Sequence, residues 1–256
     1  MSPQITYQIL DLKISLLLPV EIDINLLSKH IPEIKKIPFD EIEEIFIGFK
    51  EEEKESFLYD EESILICGTW NDTLYNDIPH LLYSLVRRLL IEKKYFPIHS
   101  TMIEDKLYIA HSGAGKTTLA DKAMSLGKSV NSLDKTIVKI ENDKLIKKLG
   151  TDIFSRRYGD SEIIKVKNNI EIKAIYLFFV SDNFSIKQLS NSEAIHSLYP
   201  FFMDTVKKDC IVNNKFIYST DVKGDFYNFI RFFHTFDKVF IITGNYEEIL
   251  NGKNNE

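Results

Sequence analysis

Residues Leu107 to Asp121 read LYIAHSGAGKTTLAD. The first four, Leu107 to Ala110, form a short apolar run with the length and flanks of a buried strand. A turn with two glycines follows, Ser112-Gly113-Ala114-Gly115, and Lys116-Thr117-Thr118 then opens a helix. A strand, a glycine turn and a helix that begins with Lys-Thr form the pattern of a P-loop, or Walker A motif. The stretch therefore predicts a phosphate-binding loop inside an α/β core.

The residue types of this loop suit the binding of a nucleotide triphosphate. Glycines let the backbone approach a phosphate closely, so that successive N–H groups form an anion-binding nest. The start of the helix adds partial positive charge and unpaired N–H donors. We expect Lys116 to reach the β- and γ-phosphates and the Thr117 hydroxyl to help hold Mg²⁺. The first glycine of the pattern G-x-x-x-x-G-K-[ST] falls on Ala110, so the strict pattern fails at one residue.

Composition excludes several function classes. The chain has 256 residues, 44% hydrophobic and 27% charged, which are ordinary globular values, and a net charge of −6 argues against a nucleic-acid partner. Cys67 and Cys210 match no metal-binding spacing and indicate a reducing compartment. The first ten residues lack the pattern of a signal peptide, and no run reaches the about 18 apolar residues of a membrane span. We therefore expect a cytoplasmic protein without a membrane partner.

The pattern along the chain predicts two regions, residues 1–95 and residues 96–256. The first is β-rich, with strands predicted at 14–20, 44–49, 56–59 and 63–70 in a meander, and it ends in a helix from Asp72, its predicted N-cap, to Lys94. Arg87 and Arg88 are predicted on the solvated face of that helix. The second region alternates strands and helices, which is typical of a layered α/β domain.

Within the second region we predict two strands, 98–103 and 107–111, around the turn at 104–106. The helix after the loop is predicted to end near Gly127. Strands follow at 128–133, 136–140, 172–180, 184–189 and 238–243, of which 172–180 is predicted to be central. Residues 143–149 are predicted to form a helical turn. Helices are predicted at 193–199, opened by a capping box at Ser190 and Glu193, and at 203–212, 222–236 and the C-terminus.

A phosphate-binding loop needs an acidic partner, and two candidates remain open on the residues alone. Asp182 follows the most apolar predicted strand, as the second acid does in most P-loop proteins, although Ser181 intervenes. Asp134 lies eighteen residues after Lys116, beside a short predicted strand.

The order of motifs around the loop resembles the HPr serine kinase/phosphorylase superfamily and its small relatives, which share a core fold with phosphoenolpyruvate carboxykinases. In that family a histidine opens a β-hairpin, the loop reads S-G-x-G-K-[ST], and an L-S-D-D-type motif follows the helix. Here Ile98-His99-Ser100 precedes the hairpin and Ser132-Leu133-Asp134 follows the helix. The resemblance covers about Leu85 to the C-terminus, and residues 1–80 match only as a β-rich lead-in.

The resemblance implies a layered P-loop kinase core of the HPr kinase/phosphoenolpyruvate carboxykinase type, with ATP and Mg²⁺ as cofactors. It implies that Ser112 to Thr118, that is Ser112, Gly113, Ala114, Gly115, Lys116, Thr117 and Thr118, bind the triphosphate. Asp134 matches the second aspartate of the family's pair, as catalytic residue and metal ligand, and His99 matches the histidine that positions the acidic site. The larger relatives form hexamers, but this does not transfer to the present chain, for which a homo-oligomer stays an open alternative.

The chain departs from the family at the acid pair, because Leu133 stands where the first aspartate is expected. Asp160 and Glu162 are candidates for the missing carboxylate, and Arg156 and Arg157 are candidates for neutralising the transferred phosphoryl group. The family's extended motifs for HPr are absent, so HPr is not the expected substrate.

Three hypotheses follow. The leading one is an ATP-dependent kinase acting on a serine or threonine hydroxyl of a peptide or small protein. The second is a nucleotide-binding regulator without transfer activity, which the departures at Ala110 and Leu133 suggest. The third is a P-loop ATPase that uses Asp182 as its magnesium acid.

Overall fold

The structure of the chain is a computed structural model. The structure describes residues 4–28, 31, 34–38, 45–54, 56–59, 63–150, 153–154, 163–164, 166–206, 209–212, 215–219 and 230–252. It has mixed α/β architecture with two large sheets. Among the described residues, no helix combines the length and the apolar character needed to cross a bilayer.

The chain divides into two compact units. The first comprises Met1–Leu90 and Lys208–Asp221, and the second comprises Ile91–Lys207 and Val222–Glu256. The division that the sequence suggested, between residues 95 and 96, stays a prediction, because compact packing alone does not show that a segment folds independently.

The first unit contains a six-stranded sheet with the order β3-β1-β2-β4-β6-β5. Its strands are β1 Gln4–Ile9, β2 Leu12–Leu17, β3 Lys35–Ile37, β4 Ile45–Glu51, β5 Ser56–Tyr59 and β6 Ser63–Gly68, and the short helix α1 Ile24–Ser28 separates β2 from β3. The predicted meander is wrong, since β4 pairs in parallel with both β2 and β6. Two further strands of this unit, β17 Asp209–Val212 and β18 Lys215–Ser219, form a separate antiparallel pair.

Helix α2, Asp72–Glu92, confirms the predicted long helix and corrects two details. Its N-cap is Asn71 rather than Asp72, because the Asn71 side chain accepts a hydrogen bond of 2.8 Å from the Leu74 N–H. Arg87 is buried, not solvated, and its guanidinium carbon lies 5.7 Å from the centre of the Tyr83 ring.

The second unit is built on a nine-stranded sheet with the order β14-β11-β10-β7-β8-β15-β19-β16, and β9 pairs with β7 beside this path. Its strands are β7 Tyr95–Ile103, β8 Lys106–Ile109, β9 Val130–Ser132, β10 Lys135–Glu141, β11 Lys144–Gly150, β14 Ile170–Glu171, β15 Ala174–Val180, β16 Ser185–Gln188 and β19 Val239–Gly244; β12 Ile153–Phe154 and β13 Ile163–Ile164 form a separate pair. Its helices are α3 Lys116–Ser125, α4 Asn191–Val206 and α5 Tyr246–Asn251. Strands β8, β15 and β19 are parallel, so β15 is central, as predicted.

Helices cover the parallel strands on both faces. Successive strand residues point to opposite faces of the sheet, so the two faces form two separate core clusters. Ile109 and Leu177 belong to a core cluster with Leu198 of α4, whereas Tyr108 and Phe178 belong to a second cluster with Leu119 of α3 and Ile249 of α5. This layering confirms the α/β expectation in its general form. It also brings the C-terminal ends of β8, β15 and β19 to one edge of the sheet, where ligands bind in many α/β proteins.

The helical turn predicted at 143–149 is wrong, because these residues form strand β11. Glu141 pairs with Lys144 across a two-residue turn in which Asn142 and Asp143 both have positive φ, 50° and 58°. Such a turn has the type I′ twist that directs two strands into a hairpin.

The predictions for residues 190–236 are partly right. The capping box is confirmed, since the Glu193 carboxylate accepts a bond of 2.9 Å from the Ser190 N–H. The helix that it opens continues past Pro200 to Val206, and Asp209–Val212 is a strand rather than part of a second helix. The prediction for 222–236 falls largely outside the described residues, and 230–232 are helical.

Candidate functional site

The predicted phosphate-binding loop connects β8 to α3 at the edge of the sheet. Gly113 and Gly115 have positive φ values of 78° and 90°, which favour glycine because L side chains are strained there. The Ala114 N–H donates to the His111 carbonyl at 3.2 Å. Ala110, where the strict pattern has a glycine, is buried in the cluster around Leu119, so its methyl group completes the core below the loop.

Gly115 also lies close to the C-terminal helix. A Cβ atom placed on it would lie 2.1 Å from the Tyr246 hydroxyl oxygen of α5. The last residue of the loop is therefore packed directly against the first residue of the C-terminal helix.

Lys116 opens α3 and is buried. Its ammonium group donates to the carbonyls of Ala110 and His111 at 2.8 and 3.0 Å, which bends the side chain back over the loop. Burial lowers its pKa, and the nearby Asp134 carboxylate opposes that shift. Thr117 and Thr118 are exposed in the first turn of α3. The backbone N–H groups of the first turn of a helix have no carbonyl acceptor within the helix.

His99 and Asp134 meet beside the loop, as the resemblance implied. His99 lies in β7 opposite Lys135 of β10, and Asp134 precedes that strand directly. The Ser100 N–H donates to the Asp134 carbonyl at 3.0 Å, which fixes the backbone register of the pair. The two side chains are then 2.8 Å apart, from His99 Nε2 to Asp134 Oδ1.

The surroundings of Asp134 keep its carboxylate ionised. The hydrogen bond from His99 lowers its pKa, burial opposes this, and the positive charges of Lys135 and Lys116 lower it further. Lys116 and Asp134 each influence the pKa of the other, so the loop lysine and the carboxylate lie within electrostatic reach of one another. An ionised, half-exposed carboxylate is suited to hold Mg²⁺ or to accept a hydrogen bond from a hydroxyl.

Leu133 replaces the expected first aspartate with an apolar side chain that packs on the core cluster below the loop. Its carbonyl accepts a bond of 2.6 Å from the Thr101 hydroxyl. The backbone therefore turns Leu133 inward while the neighbouring Asp134 contacts His99, and the site has one aspartate at this motif.

Of the other predicted acids and arginines, Asp182 alone lies within the described residues. Asp182 is exposed and follows the end of β15, two residues beyond Val180. Four candidates lie outside the described residues: Arg156, Arg157, Asp160 and Glu162. In the described part of the chain, no three His, Cys, Asp or Glu side chains converge in the manner of a metal site. Thr117 and Asp134 are the predicted protein ligands of Mg²⁺, which usually keeps water and phosphate oxygens as its other ligands.

The structure adds residues that the sequence reasoning missed. A pocket of about 390 Å³ opens beside the loop, between the last residues of β15 and Tyr246 of α5. His111 lies at this pocket, and its ring centre is 4.7 Å from that of Phe201. The only sequence signal for Tyr246 was its place just after the predicted strand 238–243, because the C-terminal ends of strands in α/β sheets mark a ligand-binding edge.

Comparisons with known proteins add little to this geometry. No protein-family model matches the chain, and no curated protein matches it. Among solved structures, the HPr(Ser) kinase/phosphatase from Coxiella burnetii has a TM-score of 0.28 and 16% sequence identity, over 36% of this chain and 77% of that chain. A TM-score at this level marks a weak structural neighbour and supports neither a family assignment nor an activity.

Proposed function

We propose that this chain is an ATP-dependent kinase that transfers the γ-phosphoryl group to a serine or threonine hydroxyl of a peptide or small protein. The observation that supports the proposal is the contact of Asp134 with His99, 2.8 Å apart, in the unit that also carries the glycine loop and its buried Lys116. Phosphoryl transfer needs this combination of cationic, anionic and metal-binding groups around the terminal phosphate.

Each group has a role in the proposed reaction. The loop from Ser112 to Thr118 binds the triphosphate through its backbone N–H groups, and Lys116 leaves the loop carbonyls to contact the β- and γ-phosphates. Thr117 and Asp134 supply oxygen ligands that suit Mg²⁺, which neutralises the charge of the phosphates when it is bound.

Asp134 also orients the acceptor. The hydroxyl oxygen attacks the γ-phosphorus, the bond to the β-phosphate oxygen breaks, and ADP leaves while the hydroxyl proton passes to Asp134 or to water. A carboxylate whose pKa is lowered is a weak proton acceptor before the reaction but a strong hydrogen-bond acceptor. His99 acts as the positioning residue that holds it.

Transfer from γ-labelled ATP with Mg²⁺ to a panel of serine- and threonine-containing peptides tests the proposal. We expect Asp134→Asn to lower the transfer rate by about 100-fold or more, in the range that general acid–base groups contribute. Asp182→Asn is the matched control, because it removes another exposed carboxylate near the same edge, and it is expected to retain transfer.

Two results would count against the proposal. Full-rate transfer by Asp134→Asn would remove Asp134 from the mechanism. Tight ATP binding without turnover on any acceptor would instead favour a nucleotide-binding regulator.

A P-loop ATPase is the second candidate, and one observation favours it. Strand β15 pairs in parallel with β8, with Leu177 opposite Ile109, so Asp182 follows the strand adjacent to the loop strand. This is where many P-loop proteins carry their magnesium acid. Loss of ATP hydrolysis in Asp182→Asn but not in Asp134→Asn would select this candidate.

In the kinase proposal the partner is a hydroxyl-bearing peptide or protein, and a homo-oligomer stays an open alternative. The proposal involves neither nucleic acid nor a membrane, and it places the protein in the cytoplasm.

A further inference from the structure

The pocket beside the loop extends beyond the phosphate-binding residues onto the end of β15 and the start of α5. One wall is the loop between Ala110 and Ala114, the opposite wall is the end of β15 from Phe178 to Val180, and Tyr246 closes a third side. None of the described residues that line it is Asp, Glu, Lys or Arg. Its volume of about 390 Å³ lies within the range of small-molecule pockets.

The sheet order puts this pocket and the acidic residue on opposite sides of the loop. Strand β8, which leads into the loop, lies between β7 and β15. The pair His99–Asp134 is on the side of β7 and β10, whereas the pocket is on the side of β15 and β19. A triphosphate lying across the loop therefore has one end at Asp134 and its other end at the pocket.

We propose that the pocket binds the base of the nucleotide whose triphosphate lies in the loop, with Phe179 as its principal contact. This inference rests on the proposed function, since the γ-phosphate must be at Asp134 for transfer to a hydroxyl. The nucleoside end is then directed toward β15, where the loop and the pocket share a wall. The peptide acceptor must approach the γ-phosphate from the Asp134 side, so it does not occupy this pocket.

The side chains of the pocket match the faces of a base. Phe179, the residue before the last of β15, has 46% of its surface exposed and lines the pocket, so its ring is accessible to a ligand. Stacking on aromatic rings binds any base, because every base has a π-face. The Tyr246 hydroxyl, which lies against Gly115 of the loop, adds a polar group to this lining.

Calorimetry with two magnesium-bound probes, ATP and inorganic tripolyphosphate, separates the base from the phosphates. For the unaltered protein we expect ATP to bind more tightly than tripolyphosphate. Phe179→Ala is expected to weaken ATP binding by about 10-fold, within the range of base stacking, and to leave tripolyphosphate binding unchanged. Phe179→Leu, which keeps the apolar volume and loses the ring, is expected to show the same selective loss.

Ile186→Ala is the matched control. Ile186 is 43% exposed on β16 of the same sheet and does not line the pocket, so its removal is expected to change neither affinity.

The following outcomes would overturn the inference, and each identifies which part of it fails. Equal affinities of the unaltered protein for ATP and tripolyphosphate, or unchanged ATP binding in both Phe179 variants, would reject the base pocket and leave the kinase proposal standing. A raised KM for the peptide acceptor with unchanged ATP affinity would assign the pocket to the acceptor. Failure of the unaltered protein to bind either probe would reject the inference and the proposed function together.

Discussion

At the scale of single residues, the site depends on how Asp134 is held. Its backbone is fixed to Ser100, its carboxylate is 2.8 Å from the His99 ring nitrogen, and Lys116 and Lys135 contribute positive charge. The hydrogen bond from His99 is the largest cause of the lowered pKa of Asp134. Removal of His99 therefore tests the arrangement without touching the loop.

We predict that His99→Leu raises the pKa of Asp134 toward the ordinary value of about 3.9 for an aspartate. Because the folded-state pKa is the lower one, the stability that this contact contributes is present above the unfolded-state pKa and is lost as the pH falls through the folded-state pKa. The advantage of the unaltered protein over His99→Leu in unfolding free energy should thus shrink as the pH falls from about 5 to below 3. Carboxyl ¹³C titration and urea unfolding measure the two effects.

The matched control is His196→Leu, which replaces an exposed histidine of α4 in the same unit. It should leave the titration of Asp134 unchanged. An Asp134 carboxyl that titrates identically in the unaltered protein and in His99→Leu would show that the contact does not shape the site.

At the scale of elements, strand β11 shows why one local prediction failed. Leu145, Ile146 and Leu149 have a helix-like spacing, and Lys147 interrupts the alternation expected of a strand. In the structure Lys147 is nevertheless buried, and its ammonium group donates to the Lys167 carbonyl and, at 2.7 Å, to the Asn168 side chain. Because the partners of buried Lys147 are Lys167 and Asn168, a short window of sequence around Lys147 does not reveal that it occupies an inward-facing position of a strand.

The start of α2 gives a prediction at the same scale. Asn71→Ala removes the acceptor of the Leu74 N–H and should lower the unfolding free energy by about 1 kcal/mol, as the loss of an N-cap does. Asp72→Ala, the control, removes only an acidic side chain from the first turn, and it should cost less, especially in high salt, which screens its interaction with the helix dipole. Urea unfolding of both variants decides which residue is the cap. A larger loss in Asp72→Ala would contradict the assignment.

At the scale of the whole molecule, the features of the fold that depend on short stretches of sequence could be predicted. The features that depend on contacts between distant segments could not. The apolar run of β15, the capping box of Ser190 and Glu193 and the glycine loop are all visible in short windows of sequence. The parallel pairing of β4 and the return of Lys208–Asp221 to the first unit depend on contacts between distant segments. Pro200 led to a further error, because a helix was expected to end there and instead continues to Val206.

The candidate site was predictable to a similar extent. The loop could be read from its residues, and the proximity of His99 and Asp134 from the resemblance, although the roles of these residues stay predictions. The pocket at Phe179 and Tyr246 could not be read from the sequence, because it forms where three separate segments meet at the edge of the sheet.

The central claim is that Asp134 serves the terminal phosphate of a nucleotide held by the loop. A crystal structure with Mg²⁺ and a non-hydrolysable ATP analogue tests it most directly. The account predicts phosphates along Ser112 to Thr118, Lys116 moved from the Ala110 carbonyl to the β- and γ-phosphates, and the Asp134 carboxylate bound to Mg²⁺ at about 2.1 Å or through one water. A γ-phosphate and Mg²⁺ beside Asp182, with Asp134 still paired only to His99, would contradict it.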